Sequence, residues 1–158
     1  MRLDKFTLKS QEALSEAERL TRQMGQQEIT ALHFLASLLQ QDGGLVPPIM
    51  EKLGVSSRLL LEAIKRRLDT RPKVSGGQMY MGEDLHTLLN AAQDQADTLK
   101  DEYVSTEHFL LALADGKGGE AARVLKEHGV TPEGVRSALA EVRGTQRVTD
   151  QEPEGKYQ

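Results

Sequence analysis

Apolar residues recur at intervals of three and four along two long segments of the chain. The first segment spans residues 5–24 and the second spans residues 81–100. This spacing places side chains on one face of a helix, so each segment is predicted to form an amphipathic helix. The two faces comprise Phe6, Ser10, Ala13, Leu14, Ala17, Leu20 and Met24 in the first segment, and Met81, Leu85, Leu88, Leu89, Ala92, Ala96 and Leu99 in the second.

The sequence matches itself without a gap when it is shifted by 75 positions, and residues related by this shift are called repeat-equivalent below. The block His33-Phe34-Leu35 falls on an identical block at 108–110, and the Gly-Val pair at 54–55 recurs at 129–130. A repeat this long that occurs only twice is typical of two homologous bundles rather than a solenoid. The chain is therefore predicted to be all-α, with two homologous four-helix repeats packed as a pseudo-two-fold bundle of about eight helices and no sheet.

Capping residues and glycines predict where several helices begin and end. Thr30 and Ser105 are expected to cap the second helix of each half, because a hydroxyl there can accept a hydrogen bond from a free backbone N–H. The third helix of each half is expected to stop at Gly54 or Gly129, where the chain turns left-handed.

The predicted domain covers residues 1–143 and divides into repeat one at 5–70, a linker at 71–80 and repeat two at 81–143. The linker contains Pro72, Gly76 and Gly77, residues that favour turns and loops. Residues 144–158 are polar and lack periodicity. They are expected to form a flexible tail or the start of a linker.

Composition and charge exclude several classes of function. The net charge is −4 at pH 7 and the isoelectric point is about 5.6, so nothing favours binding to nucleic acid or to an anionic membrane. There is no cysteine. No apolar run approaches the length of a membrane span, and the charged N-terminus does not resemble a signal peptide. A cytoplasmic location is expected.

No residue pattern in the chain predicts catalysis, metal binding or nucleotide binding. His33 and His108 lie three residues after the predicted caps, the position that completes a capping box, so a structural role is expected for both. No histidine pair has the spacing of a helical zinc site. The Gly-Lys-Gly-Gly run at 116–119 is not a phosphate-binding loop, because no serine or threonine follows its lysine. The chain is expected to be a binding domain and not an enzyme, with no cofactor of its own.

Four motifs resemble the double Clp N-terminal repeat, and among its families the ClpB disaggregases. They are Met-Arg-Leu-Asp-Lys-Phe-Thr at 1–7, the repeated His-Phe-Leu blocks after Thr30 and Ser105, Arg-Pro-Lys-Val-Ser-Gly at 71–76, and Glu-Gly-Lys-Tyr-Gln at 154–158. The resemblance covers residues 1–143, and it implies that residues 144–158 are a flexible linker toward an ATPase module that this sequence does not contain.

The resemblance implies a substrate-docking domain that engages unfolded or aggregated polypeptide. The parent protein would be a hexameric AAA+ ATPase of the stress response, which uses ATP and Mg and works with the DnaK chaperone system. The alternative is an adaptor-binding regulatory domain, because ClpA-type and ClpC-type protease unfoldases carry the same repeat.

The same resemblance implies a set of substrate-binding residues. Its polar members are Thr7, Asp101 and Glu107, which are expected to converge on one surface patch. Their repeat-equivalent positions hold other residue types, so the shared scaffold does not explain them. An apolar groove beside them maps onto Leu89, Ala91 and His108.

Overall fold

The computed structural model describes residues 3–157, so Met1, Arg2 and Gln158 of the terminal motifs lie outside the described residues. Within this range the chain forms eight α-helices, two very short strands and two 3-10 turns. The helices are α1 Leu8–Gln23, α2 Ala31–Gln40, α3 Val46–Lys52, α4 Ser57–Asp69, α5 Glu83–Thr98, α6 Thr106–Ala114, α7 Glu120–Glu127 and α8 Pro132–Arg143. The strands are β1 Glu28–Ile29 and β2 Tyr80–Met81, and the 3-10 turns are Leu3–Lys5 and Glu154–Tyr157.

The two halves follow the predicted repeat closely. A shift of 75 positions carries α1 onto α5 at both ends, and the other three helices of the first half onto their counterparts within one residue. The all-α architecture of two four-helix halves is therefore confirmed.

Two equivalent backbone pairings between the halves follow the pseudo-two-fold symmetry. Ile29 pairs with Met81 in a parallel register, and Phe6 bridges Val104 in the same sense. Phe6 is repeat-equivalent to Met81, and Ile29 is repeat-equivalent to Val104. The segment before α1 therefore lies beside the segment before α6. By the same symmetry, the segment before α5 lies beside the segment before α2.

The prediction of no sheet is wrong in one small respect. β1 and β2 form a two-stranded parallel ladder of two residues each. Segments this short carry no alternation of apolar and polar residues, so the strand pattern that would reveal them is absent from the sequence. The ladder joins the two halves.

The hydrophobic core is continuous across the halves. Phe34 and Phe109, which are repeat-equivalent, meet edge to face with ring centroids 4.7 Å apart. Phe6 packs on Phe109 in the same manner at 5.6 Å. All three rings are fully buried. Because each half contributes to the same aromatic contact, the halves share one core.

The predicted cap is present at the start of α2, whereas Ser105 holds the N-cap position of α6 without a side-chain hydrogen bond to a backbone N–H. Thr30 Oγ1 accepts from the His33 N–H at 3.3 Å, and His33 Nδ1 accepts from the Thr30 N–H at 3.0 Å. At the repeat-equivalent position, His108 Nδ1 accepts from the Ser105 N–H at 2.8 Å. Both histidines therefore make the side-chain bond of a capping box, as predicted.

Residues 71–80 are held at both ends, and at the far end the Tyr80 N–H donates to the Gln27 carbonyl at 3.0 Å. Arg71 forms ion pairs with Glu120 and Glu28, and Val74 donates its N–H to the Gly25 carbonyl at 2.9 Å.

No helix among residues 3–157 is both long and apolar enough to cross a membrane.

Candidate functional site

Asp101 is the centre of a buried polar network beside the end of α5. Its carboxylate accepts from His108 Nε2 at 2.7 Å and from both terminal nitrogens of Arg143, at 2.9 and 2.7 Å. The Val148 N–H donates to it at 2.8 Å. The Asp101 residue is only 6% exposed. A carboxylate with this many donors is held in one orientation and remains ionised.

The donors around Asp101 outweigh its burial. Burial alone would raise the pKa of Asp101, but the hydrogen bonds from His108, Arg143 and the Val148 N–H lower it from 3.8 to about 2. A depressed pKa means that this carboxylate stabilises the fold while it is ionised.

Asp101 is expected to make the domain sensitive to acid between about pH 4 and pH 2. Its contribution to stability is complete above the unfolded pKa of 3.8 and is lost as the pH falls through the folded value of about 2. Chemical denaturation at a series of pH values should show the free energy of unfolding falling across this window. In Asp101→Asn, which is less stable throughout, the fall should be shallower. An unchanged slope would contradict the assignment.

Glu107 joins the same network from the first turn of α6. Its Oε2 accepts from Arg143 Nη1 at 3.2 Å, and the residue is fully buried. Its other oxygen, Oε1, is buried and has no hydrogen-bond partner among the described residues. Asp101 and Glu107 therefore converge on one guanidinium.

Thr7 reaches this network through Glu154. Thr7 is the N-cap of α1, where its hydroxyl oxygen accepts from the Ser10 N–H at 3.2 Å. It also donates to Glu154 Oε2 at 2.9 Å, and the Thr106 N–H donates to the same oxygen at 3.2 Å. Thr106 directly precedes Glu107, so Thr7 lies close to the two acids.

Residues 148–157, called the strap here, cover this network. Val148, Pro153 and Glu154 are buried, and the Glu102 N–H donates to the Val148 carbonyl at 2.7 Å. The sequence suggested a flexible linker after residue 143, but these contacts pack the strap against the domain. The polar composition of the strap gave no sign of this packing, because the contacts join residues that are far apart in the sequence.

The three polar residues expected at the site are close together but do not lie at the surface. Thr7, Asp101 and Glu107 do converge, yet all three are buried and form no surface patch. The apolar members differ as well. Leu89 and His108 are fully buried, and only Ala91 is partly exposed. Leu89 belongs to the core and His108 to the capping box, so these residues do not form an open groove.

An open apolar groove lies nearby, between α5, α6 and α8. Its volume is about 380 Å³. Leu99, Leu111, Leu139 and Ala140 form its apolar lining, and Leu99 is 38% exposed. Residues 143–147, which lead into the strap, complete its wall. The groove is a place where a partner could bury apolar side chains.

Arg143 is the site residue that the sequence reasoning missed. Its repeat-equivalent is Leu68, a fully buried core residue. The equivalent of Asp101 is Gln26, which accepts from His33 Nε2 at 2.7 Å and donates to the Leu68 carbonyl at 2.6 Å. A charged residue at the position of a core leucine is visible when the two halves are aligned, and it could have indicated a buried ion pair in the second half. The first half therefore has a neutral version of the network.

His33 confirms the neutral character of the first-half network. Burial, assisted by the positive charge of Arg71, lowers the pKa of His33 from 6.5 to about 4. The imidazole is therefore uncharged at neutral pH.

No group of three or more histidine, aspartate or glutamate side chains among residues 3–157 is arranged to hold a metal ion.

Comparison with known sequences identifies related proteins. A profile of the Clp repeat (R) N-terminal domain matches residues 5–128. The chain is 40% identical over 164 residues to the chaperone protein ClpB of Nitratidesulfovibrio vulgaris, covering 100% of this chain and 19% of that protein. It is 39% identical over 155 residues to ClpB of Bdellovibrio bacteriovorus, covering 97% of this chain and 18% of that protein. The chain spans about a fifth of the length of these curated relatives.

Solved structures share the fold. The Hsp104 N-terminal domain from Candida albicans superposes with a TM-score of 0.82 at 21% identity, over 95% of this chain and 99% of that chain. A ClpV N-domain in complex with a VipB peptide gives a TM-score of 0.73 at 20% identity, over 87% and 86% of the two chains. At these identities the likeness concerns the arrangement of the helices.

Proposed function

Because the chain belongs to the Clp repeat (R) N-terminal domain family, we propose that it is a docking domain for unfolded or aggregated polypeptide and performs no chemistry itself. The named relatives are ClpB chaperones, and a domain with this fold has been solved with a bound peptide. The site described above contains hydrogen-bond donors and apolar surface, and both are suited to holding a polypeptide segment.

The groove between α5, α6 and α8 is the observation that carries this proposal. Leu99 at the end of α5 and Ala140 on α8 are exposed beside the more deeply placed Leu111 and Leu139. Unfolded chains present apolar side chains that a folded protein buries. An open groove with an apolar lining and a polar rim that includes Gln95 suits such segments.

Binding by one domain is expected to be weak. A segment that buries on the order of 400 Å² gains roughly 10 kcal/mol at about 25 cal/mol per Å². Association costs about 4–15 kcal/mol, so little net affinity remains. Loose binding suits a domain that passes its substrate onward, and several copies on one ring would add avidity.

The whole protein proposed here is a hexameric AAA+ disaggregase of the ClpB type. It would use ATP and Mg in its ATPase modules and would act with the DnaK chaperone system. This domain would engage the aggregated segment and deliver it to the ATPase ring. The sequence similarity to ClpB supports this assignment over a ClpA-type or ClpC-type adaptor-binding domain.

Leu99→Asp is expected to weaken binding of an unfolded polypeptide about fivefold to tenfold, since it places a charge on the apolar lining. The matched control is Leu59→Asp on α4, because Leu59 is 50% exposed and lies outside the groove. Fluorescence anisotropy measures the affinity, and thermal melts should show that both variants keep the fold.

Equal losses for the two variants would contradict the placement of the docking groove. A folded adaptor protein titrated in parallel addresses the alternative function. If the domain bound folded adaptors and failed to bind unfolded chains at all, the docking function proposed here would be wrong.

A further inference from the structure

The strap lies across the N-termini of two helices. The Thr106 N–H, at the start of α6, donates to Glu154 Oε2 at 3.2 Å, and the Thr7 hydroxyl donates to the same oxygen at 2.9 Å. The Leu8 N–H, at the start of α1, donates to the Gln151 carbonyl at 2.9 Å. These backbone donors have no partner inside their own helices. The strap therefore supplies acceptors that the two helices need.

The equivalent donor at the start of α2 is satisfied from within the two repeats. Ala31 is repeat-equivalent to Thr106 and donates its N–H to Asp84 Oδ1 of α5, in the other half, at 3.2 Å. The repeat-equivalent of Asp84 is Lys9 of α1, whose side chain has no acceptor. Because α1 lacks this carboxylate, the acceptor for the Thr106 N–H comes from a segment outside both repeats.

A carboxylate is an imperfect occupant of this position. Glu154 Oε1 and Glu107 Oε1 are both buried without a hydrogen-bond partner among the described residues. Burial and the nearby Glu107 carboxylate raise the pKa of Glu154, although the Thr106 and Thr7 donors oppose the shift. Part of what the strap gains from its hydrogen bonds is therefore offset.

The start of the strap adjoins the apolar groove. Residues 143–147 line the groove, and the buried Val148 follows directly. Val148 is anchored by the bond from its N–H to Asp101 Oδ1 and by the bond to its carbonyl from the Glu102 N–H. A segment lying in the groove is therefore next to the residue that anchors the strap.

We propose that the strap is an internal occupant of a second peptide-binding surface, and that a segment of an unfolded client takes its place across the N-termini of α1 and α6. This inference rests on the proposed docking function. The strap itself shows what the surface accepts, because residues 148–153 form neither helix nor strand, the 3-10 turn Glu154–Tyr157 follows them, and the segment is held through carbonyl and side-chain oxygens. Lifting it exposes Thr7, the Thr106 N–H and the buried acids.

The chemistry of the surface defines the client segment. It must lie outside regular helices and strands, with a backbone carbonyl for the Leu8 N–H and a small apolar side chain in the place of Val148. About six residues further on, it must present an oxygen to Thr7 and the Thr106 N–H. A glutamine or asparagine amide suits this position better than a carboxylate. Its oxygen accepts both bonds, its nitrogen can donate to Glu107, and it adds no second negative charge.

Two substitutions in the strap test the proposal in opposite directions. Val148→Asp releases the strap, because it places a charge in a fully buried position beside Asp101. Glu154→Gln tightens it, because the amide keeps both bonds and removes the repulsion from Glu107. Thr149→Asp is the control, since Thr149 is exposed in the same segment.

The affinity for an unfolded model polypeptide is expected to rise about threefold to tenfold in Val148→Asp and to fall by a similar factor in Glu154→Gln, while Thr149→Asp matches wild type. A second probe is a synthetic peptide with the sequence of residues 148–157 and glutamine at the position of Glu154. It should bind the Val148→Asp chain about tenfold more tightly than the Glu154→Gln chain, and the unfolded polypeptide should compete with it.

Wild-type affinity in both strap variants would overturn the proposal, as would equal binding of the peptide to every variant. If Val148→Asp failed to fold, the expected loss of affinity in Glu154→Gln would still decide the question. Leu99→Asp distinguishes a failure of the strap inference from a failure of the docking function. A loss of client binding in Leu99→Asp with no effect in either strap variant removes the strap inference and leaves the docking function standing.

Discussion

Replacing Arg143 by methionine is expected to lower the free energy of unfolding by about 3–5 kcal/mol, because the change leaves two buried carboxylates without their cation. Arg143 binds Asp101 through both terminal nitrogens and Glu107 through one of them. Methionine fills a similar volume, so the loss reports the unpaired charges more than a cavity. Urea denaturation followed by circular dichroism measures the effect.

The control for this change is Arg136→Met, which removes an exposed ion pair with Asp115 and is expected to cost about 0–1 kcal/mol. A second variant uses the repeat itself. Changing Asp101, Glu107 and Arg143 together to glutamine, leucine and leucine, the residue types of the first half, should recover most of the lost stability. Similar costs for Arg143→Met and Arg136→Met would mean that the buried network is not what Arg143 stabilises.

Phe109→Ala is expected to destabilise the whole domain by about 3–5 kcal/mol. Phe109 packs on Phe34 and Phe6, so its removal opens a cavity in a core to which both halves contribute. Edge-to-face aromatic contacts of this kind add about 0.5–1.5 kcal/mol beyond the buried area. Because the core is continuous, the variant should still unfold in one cooperative transition, which calorimetry can establish.

Tyr80→Ala is the aromatic control, because the Tyr80 residue is 54% exposed and its change should cost no more than about 0.5 kcal/mol. Two separate transitions in Phe109→Ala, one near the wild-type midpoint, would show that the halves fold independently. The shared core described here would then be incorrect.

The sequence predicted most of the fold because the repeat provides each signal twice. The shift of 75 positions aligns all four helices of one half with those of the other, and caps such as Thr30 mark their starts. The ladder of β1 and β2 was missed because two residues have no readable pattern. Leu89 and His108 were also expected to line an open groove and are buried instead. The match of Leu89 with Leu14 in the repeat and the capping position of His108 had already indicated structural roles for both.

The polar site was predicted only in part because its contacts join distant residues. Asp101 and Glu107 were placed together correctly, but the pairing of Asp101 with Arg143 spans 42 positions and that of Thr7 with Glu154 spans 147. No local pattern encodes such pairs. The replacement of the core residue Leu68 by Arg143 in the second half was the one available clue, and it becomes clear only when the halves are compared position by position.

The docking function is tested most directly by titrating the isotope-labelled domain with an unfolded polypeptide and mapping the amide chemical shifts. The account predicts saturable changes clustered at the groove, around Gln95, Leu99 and Ala140, with further changes along the strap from Val148 to Glu154. It predicts little change on α3 and α4 of the first half. Saturable changes confined to the first half, or no saturable change at any polypeptide concentration, would contradict it.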